Sequence, residues 1–130
     1  MAYLLDTATL AEVLRSAPSR SLVRRLTTVP CRDRWTSVIA VSQILVAARK
    51  TRNPKVMQDV IRLVAAVKVA SFDMLAAQSF AKFQATVAPD GDTDDVMIAA
   101  IAVTNDFTLV TRRPGDFAKF PHLRVEDWMA

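Results

Sequence analysis

A chain of 130 residues with an apolar fraction of 52% is long enough to bury one full core and too apolar to be disordered. No apolar run approaches the roughly 18 residues of a membrane span, and the start Met1-Ala2-Tyr3-Leu4-Leu5-Asp6 meets a carboxylate too early for a signal peptide. A lone Cys31 and a lone His122 exclude an internal disulfide and a structural zinc site and fit a reducing cytoplasm, while a net charge of +4 suits either plain solubility or attraction to phosphate polymers.

No repeat or linker divides the chain, so a single domain over residues 1–130 is expected. Glycine occurs only at positions 91 and 115, which excludes the Gly-rich phosphate loops. In chain order, Tyr3-Leu4-Leu5 reads as a short buried strand ending at Asp6. Thr9 to Ser16 and Ser19 to Thr28 read as short helices parted by Pro18. Trp35 to Ser37 is a brief strand. Val38 to Lys50 is a helix whose apolar face carries Val38, Val41, Ile44, Leu45 and Ala48. Pro54 suits the first turn of the next helix, which continues to Val67. Val67 to Phe72 is a strand, Met74 to Val87 a helix and Asp94 to Thr104 another helix. Phe107 to Thr111 is a β-branched strand, and Leu123 to Glu126 a final edge strand. Strands alternating with helices predict an α/β/α sandwich around a short parallel sheet. Functional groups in such sheets collect at the carboxyl ends of the strands.

Three carboxylates fall at such places: Asp6, Asp95 and Asp116. Acids beside buried runs are costly unless something cationic compensates them, and together they suggest one pocket for a divalent metal. Each has a plainer alternative. Asp6 suits an N-cap for the helix near Thr9. Asp95 suits the dipole of its own first turn, although Ile98, Ala99 and Ala102 share its face. Asp116 suits a turn before Phe117. Asp92 or Thr93 reads as the N-cap of that later helix and Asp94 as an outward acid on it. Arg112 and Arg113 leave the same strand edge and are candidates to grip a phosphate. Trp35 and Trp128 read as packing residues.

The set Leu4-Leu5-Asp6-Thr7, Thr36 to Ala48, Val69-Ala70-Ser71-Phe72-Asp73, Asp95-Val96-Met97-Ile98-Ala99-Ala100, Leu109-Val110-Thr111, Asp116-Phe117 and Leu123 to Trp128 resembles, in order and spacing, PIN-domain proteins. The nearest likeness is to VapC-type toxins of bacterial toxin–antitoxin pairs. The resemblance implies a PIN-like fold and an endoribonuclease that uses Mg²⁺ or Mn²⁺ to activate water. It also implies a homodimer and a small antitoxin partner. By the same resemblance Asp6, Asp95 and Asp116 are the metal-binding acids. Thr111 supports the site, with Thr7 beside it; the RNA contacts of Arg112 and Arg113 are expected from their place at the strand edge and not from the resemblance.

The family's second acid, usually a glutamate, falls on Gln43. Two smaller departures are Ala8 and Arg113, where asparagine or aspartate is usual. Glutamine keeps a carbonyl oxygen for a hard cation but gives up a negative charge. Slower turnover is expected, or alternatively a weakened module of the same fold that binds nucleic acid or a protein. A phosphoacceptor domain would need a second acid beside Asp6, and none is there.

Overall fold

Five strands, each only three or four residues long, form one fully parallel sheet with a hydrophobic core on each face. The computed structural model describes residues 1–129; Ala130, the last residue of the expected domain, lies outside them. In sequence order the strands are β1 (Tyr3–Leu5), β2 (Arg34–Ser37), β3 (Lys68–Ala70), β4 (Thr108–Val110) and β5 (Arg124–Glu126), and in space they lie β3-β2-β1-β4-β5. Successive side chains of a strand point to opposite faces. Leu4 and Leu109 therefore enter one core, and Leu5 and Val110 the other.

Helices α1 (Thr7–Val13), α2 (Arg20–Thr28), α3 (Val38–Lys50) and α4 (Pro54–Ala65) cover the Leu5 face. Helices α5 (Met74–Lys82), α6 (Thr93–Thr104) and the short α7 (Pro114–Phe117) cover the Leu4 face. This is the expected three-layer α/β/α sandwich. Helix α6 buries Val96, Ile98, Ala99, Ala100, Ile101 and Ala102, so it is apolar nearly all round and wedged between α5 and the sheet. No helix among the described residues is long and apolar enough to cross a membrane.

Most element boundaries shift by one to three residues from expectation, and four of the differences have a clear local reason. Helix α1 starts at Thr7 because Asp6 caps it directly. The helix expected to run to Val87 is α-helical only to Lys82, and Phe83–Val87 widens into a π-type turn. The strand expected over Val67 to Phe72 contracts to Lys68–Ala70 at the sheet edge, where only one neighbour holds it. Residues 114–117 coil into α7 instead of remaining a loop, with Pro114 at its first turn.

Strand β1 is the switch point of the sheet. The chain steps from β1 outward to β2 and β3, then returns to lay β4 on the other side of β1. The crevice above the carboxyl ends of β1 and β4 is where such sheets place ligands. Asp6 and Thr111 sit there.

The approach to α6 depends on Gly91. A Cβ there would stand 2.9 Å from Ala88 Cβ, 3.1 Å from the Ala88 carbonyl oxygen and 3.2 Å from Val96 Cγ2. The Ala88 backbone can yield only by moving the turn that delivers the α6 cap. Gly91→Ala is expected to cost about 1–3 kcal/mol, as overpacking does, read as a lower denaturation midpoint with an unchanged slope.

Candidate active site

Four elements converge on the β1–β4 crevice. Asp6 follows the last residue of β1, and its backbone N–H donates to the Val110 carbonyl of β4 at 3.0 Å. Its side chain is the N-cap of α1: Oδ1 accepts the Thr9 N–H at 2.9 Å. The capping alternative thus describes one oxygen of Asp6, which is 4% exposed and also lines a pocket of about 270 Å³. Capping and pocket lining belong to the same carboxylate.

Asp95 reaches this pocket from the first turn of α6. The N-cap Asp92 accepts the Asp95 N–H at 3.0 Å, which fixes the turn that carries it. Gln43 comes from α3, whose start is set by Ser37 accepting the Ala40 N–H at 3.0 Å. Thr7, Ala8, Ala11, Ile98, Arg113 and Phe117 complete the lining. Thr7 donates its hydroxyl to Gln43 Oε1, and Gln43 Nε2 donates to Asp94 Oδ2 at 2.8 Å. Asp94, read from sequence as a plain outward acid, is therefore exposed but joined to Gln43 across 51 residues. No sequence signal marks that contact.

Arg113 decides the electrostatics. Its guanidinium forks onto Asp95, Nη2 to Oδ1 at 2.9 Å and Nη1 to Oδ2 at 3.0 Å, and Nη1 also reaches Asp116 Oδ2 at 3.2 Å. It lies 5.6 Å from the centre of the Phe117 ring. The fork onto Asp95 holds Arg113 charged well beyond the ordinary arginine range. Thr111 is wholly buried, and its Oγ1 accepts the Arg113 N–H at 3.1 Å, which shapes the turn that brings Arg113 back over the acids.

The structure brings Asp6, Asp95, Gln43, Thr7 and Arg113 into one pocket and leaves Asp116 at its edge. Asp116 is 60% exposed and does not line the cavity; it is tied in through Arg113. Among the described residues no three of His, Cys, Asp and Glu stand close enough to hold a metal between them. The expected three-acid pocket is in this structure a two-carboxylate pocket with an arginine over it. Arg112 points elsewhere, 4.0 Å from Glu12. A larger hollow of about 540 Å³ between α2 and the segment from Glu126 to Trp128 contains none of these residues.

Glu12 has no counterpart in the sequence reading. It is 5% exposed, accepts from Arg15 Nη1 at 3.1 and 3.2 Å and from the Ser19 N–H at 2.9 Å, and so ties α1 to the start of α2. The hydrogen bond from Arg15, with help from Ser19 and Arg112, holds its carboxyl below the ordinary value of 4.5 despite the opposing effect of burial. A depressed carboxyl contributes stability above its unfolded pKa and loses it as pH falls through the folded one. The gap in melting temperature between wild type and Glu12→Gln is expected to be widest above pH 4.5 and to close below it.

Comparison with family models and with curated proteins finds no match. Comparison with solved structures finds whole-chain likeness. A chain of VapBC2 from Rickettsia felis, solved bound to a fragment of promoter DNA, matches at TM-score 0.87 and 18% identity over 98% of this chain and 99% of that one. VapBC-1 from nontypeable Haemophilus influenzae matches at 0.88 and 21% identity over 100% of both chains. DNA-bound VapBC from Salmonella typhimurium matches at 0.87 and 23% identity over 98% of both. Over the described residues the protein has the same α/β/α fold as these chains of VapBC complexes.

Proposed function

We propose that this protein is a metal-dependent endoribonuclease and the toxin of a toxin–antitoxin pair. The observation that carries the reading is the meeting of Asp6 and Asp95, from the end of β1 and the start of α6, in one pocket at the switch point of the sheet. Asp95 is already met by a cation, Arg113, in the pocket that Asp6 also lines, so the pocket is one that attracts positive charge. Two carboxylates with water completing the shell suffice for Mg²⁺, so the donors fit that ion or Mn²⁺. Asp6 and Asp95 would hold it, and Gln43 Oε1 would add a neutral oxygen. When bound, such an ion neutralises phosphate charge and makes a nearby water more acidic.

The chain's own residues do the rest. Thr7 and Asp6 are fixed by the α1 cap, so they are placed before substrate arrives. Arg113, once off Asp95, offers a planar fork that matches a phosphodiester. Arg112, one residue earlier on the same loop, is 56% exposed and turned toward Glu12, and adds positive charge to the surface beside the site. The net positive charge draws RNA toward an acidic pocket that would otherwise repel it.

The structural likeness to VapBC complexes supports a small antitoxin as partner. A second copy of the chain is the other partner. Ile61 on α4, Val69 on the edge strand β3, and Met74 and Leu75 at the start of α5 are exposed apolar side chains available to it. The experiment is incubation of purified full-length protein with a panel of single-stranded RNAs. Cleavage with Mg²⁺ or Mn²⁺ that EDTA abolishes is the expected result.

A second reading has its own support: Gln43 lacks the usual charge and Arg113 already neutralises Asp95. A non-catalytic PIN-fold module would bind RNA or protein without cutting. Absence of cleavage by both wild type and Gln43→Glu would favour it.

A further inference from the structure

We propose that Asp94 is a positioning residue that sets which end of the Gln43 amide faces the metal pocket. The proposal rests on the reading of Asp6 and Asp95 as holders of a divalent cation. A glutamine side chain has chemically opposite ends: its oxygen can face a cation and its NH₂ cannot. Gln43 stands in the wall between two hollows. One holds Asp6 and Asp95, and the other, of about 380 Å³, is lined by Ser42, Gln43, Val46 and Asp94.

Two contacts fix the amide, and they are not equivalent. Thr7 donates its hydroxyl to Oε1, but a hydroxyl can equally accept, so Thr7 alone would tolerate either orientation. An ionised carboxylate only accepts. Asp94 Oδ2, 2.8 Å from Nε2, therefore selects the NH₂ end for itself and leaves Oε1 on the side of Thr7, at the first strand end. Positions 43 and 94 form a matched pair, neutral amide against anion. A glutamate at position 43 would set two carboxylates against each other at this distance, and like charges so placed repel. Asp94 helps the site only because position 43 is glutamine.

The test is calorimetric titration of Mn²⁺ into the full-length protein and four variants: Asp94→Ala, Asp94→Asn, Gln43→Glu and the double variant Gln43→Glu/Asp94→Ala. Asp94→Ala is expected to weaken Mn²⁺ binding about tenfold, the scale of losing an outer-shell partner. Asp94→Asn puts an amide that can donate as well as accept against Gln43, so it no longer selects an end and should weaken binding about as much as Asp94→Ala. In the Gln43→Glu background the sign reverses: removing Asp94 should tighten binding. Unchanged affinity in Asp94→Ala would overturn the assignment. So would wild-type affinity in Asp94→Asn, whose amide imposes no orientation, or an equal loss in both backgrounds, which would mean bare charge rather than orientation. If neither wild type nor Gln43→Glu takes up Mn²⁺, the metal reading itself falls and carries Asp94 with it. Binding by wild type with no response to Asp94→Ala removes Asp94 alone.

Discussion

Asp95→Asn is expected to reduce Mg²⁺-dependent RNA cleavage by more than about a hundredfold, because losing a direct ligand exceeds the 10–100-fold loss typical of an outer-shell partner. The substitution keeps the shape of the side chain and removes its charge. Among the described residues, Asp95 is one of only two carboxylates that line the pocket, so no third acid there replaces it. The fold should survive. Asp92 still caps α6, and the buried run from Val96 to Ala102 is untouched. Cleavage rate and melting temperature measured on the same preparation check both halves. A large fall in rate with a melting temperature near wild type is the expected pair.

Arg113→Gln should act in the opposite direction on metal binding. The guanidinium occupies both oxygens of Asp95, so a cation must displace it. Removing a competing unit charge beside Asp95, half-exposed and so largely screened, is expected to be worth about 1–2 kcal/mol, or about five- to thirtyfold tighter Mn²⁺ binding. Stability should fall by no more than about 1 kcal/mol, since the pair is solvent-exposed on the arginine side and screened. Turnover should drop all the same, because the fork proposed to meet the scissile phosphate is gone. Calorimetry with Mn²⁺ and a cleavage assay, run side by side, would show affinity rising while rate falls. If both fall together, Arg113 is a structural clamp on α6 and not a competitor of the ion.

These two effects show where the residue pattern was informative and where it was not. The sheet was legible because a hydrophobic core lies on each of its faces, so Tyr3-Leu4-Leu5 and Thr108-Leu109-Val110 stand out as short apolar runs between helical periods. Placing Asp6 at a strand end required no contact information. Its cap on Thr9 was also readable, because an N-cap acts over three residues. Asp116 was harder. Pro114-Gly115 signals a turn, and only tertiary packing of Phe117 shows that the turn coils into a helix that leaves the carboxylate outside the cavity.

Arg113 and Asp94 mark the limit. Pattern marks a charged residue as solvated or pocket-bound by its neighbours along the chain, and both of these take their partners from other elements. Arg113 reads as a free loop cation until α6 is laid beside it. Asp94 reads as an acid serving its own helix dipole until α3 brings Gln43 to it. Glu12 hides for the same reason, as an ordinary helix acid whose second helix is seven residues away.

The most direct measurement is an anomalous-difference map from crystals of the protein soaked in Mn²⁺. A single strong peak ligated by carboxylate oxygens of Asp6 and Asp95, with Arg113 turned away from Asp95, is the expected result. A map without a peak there, with Arg113 still forked onto Asp95 at saturating Mn²⁺, would contradict it.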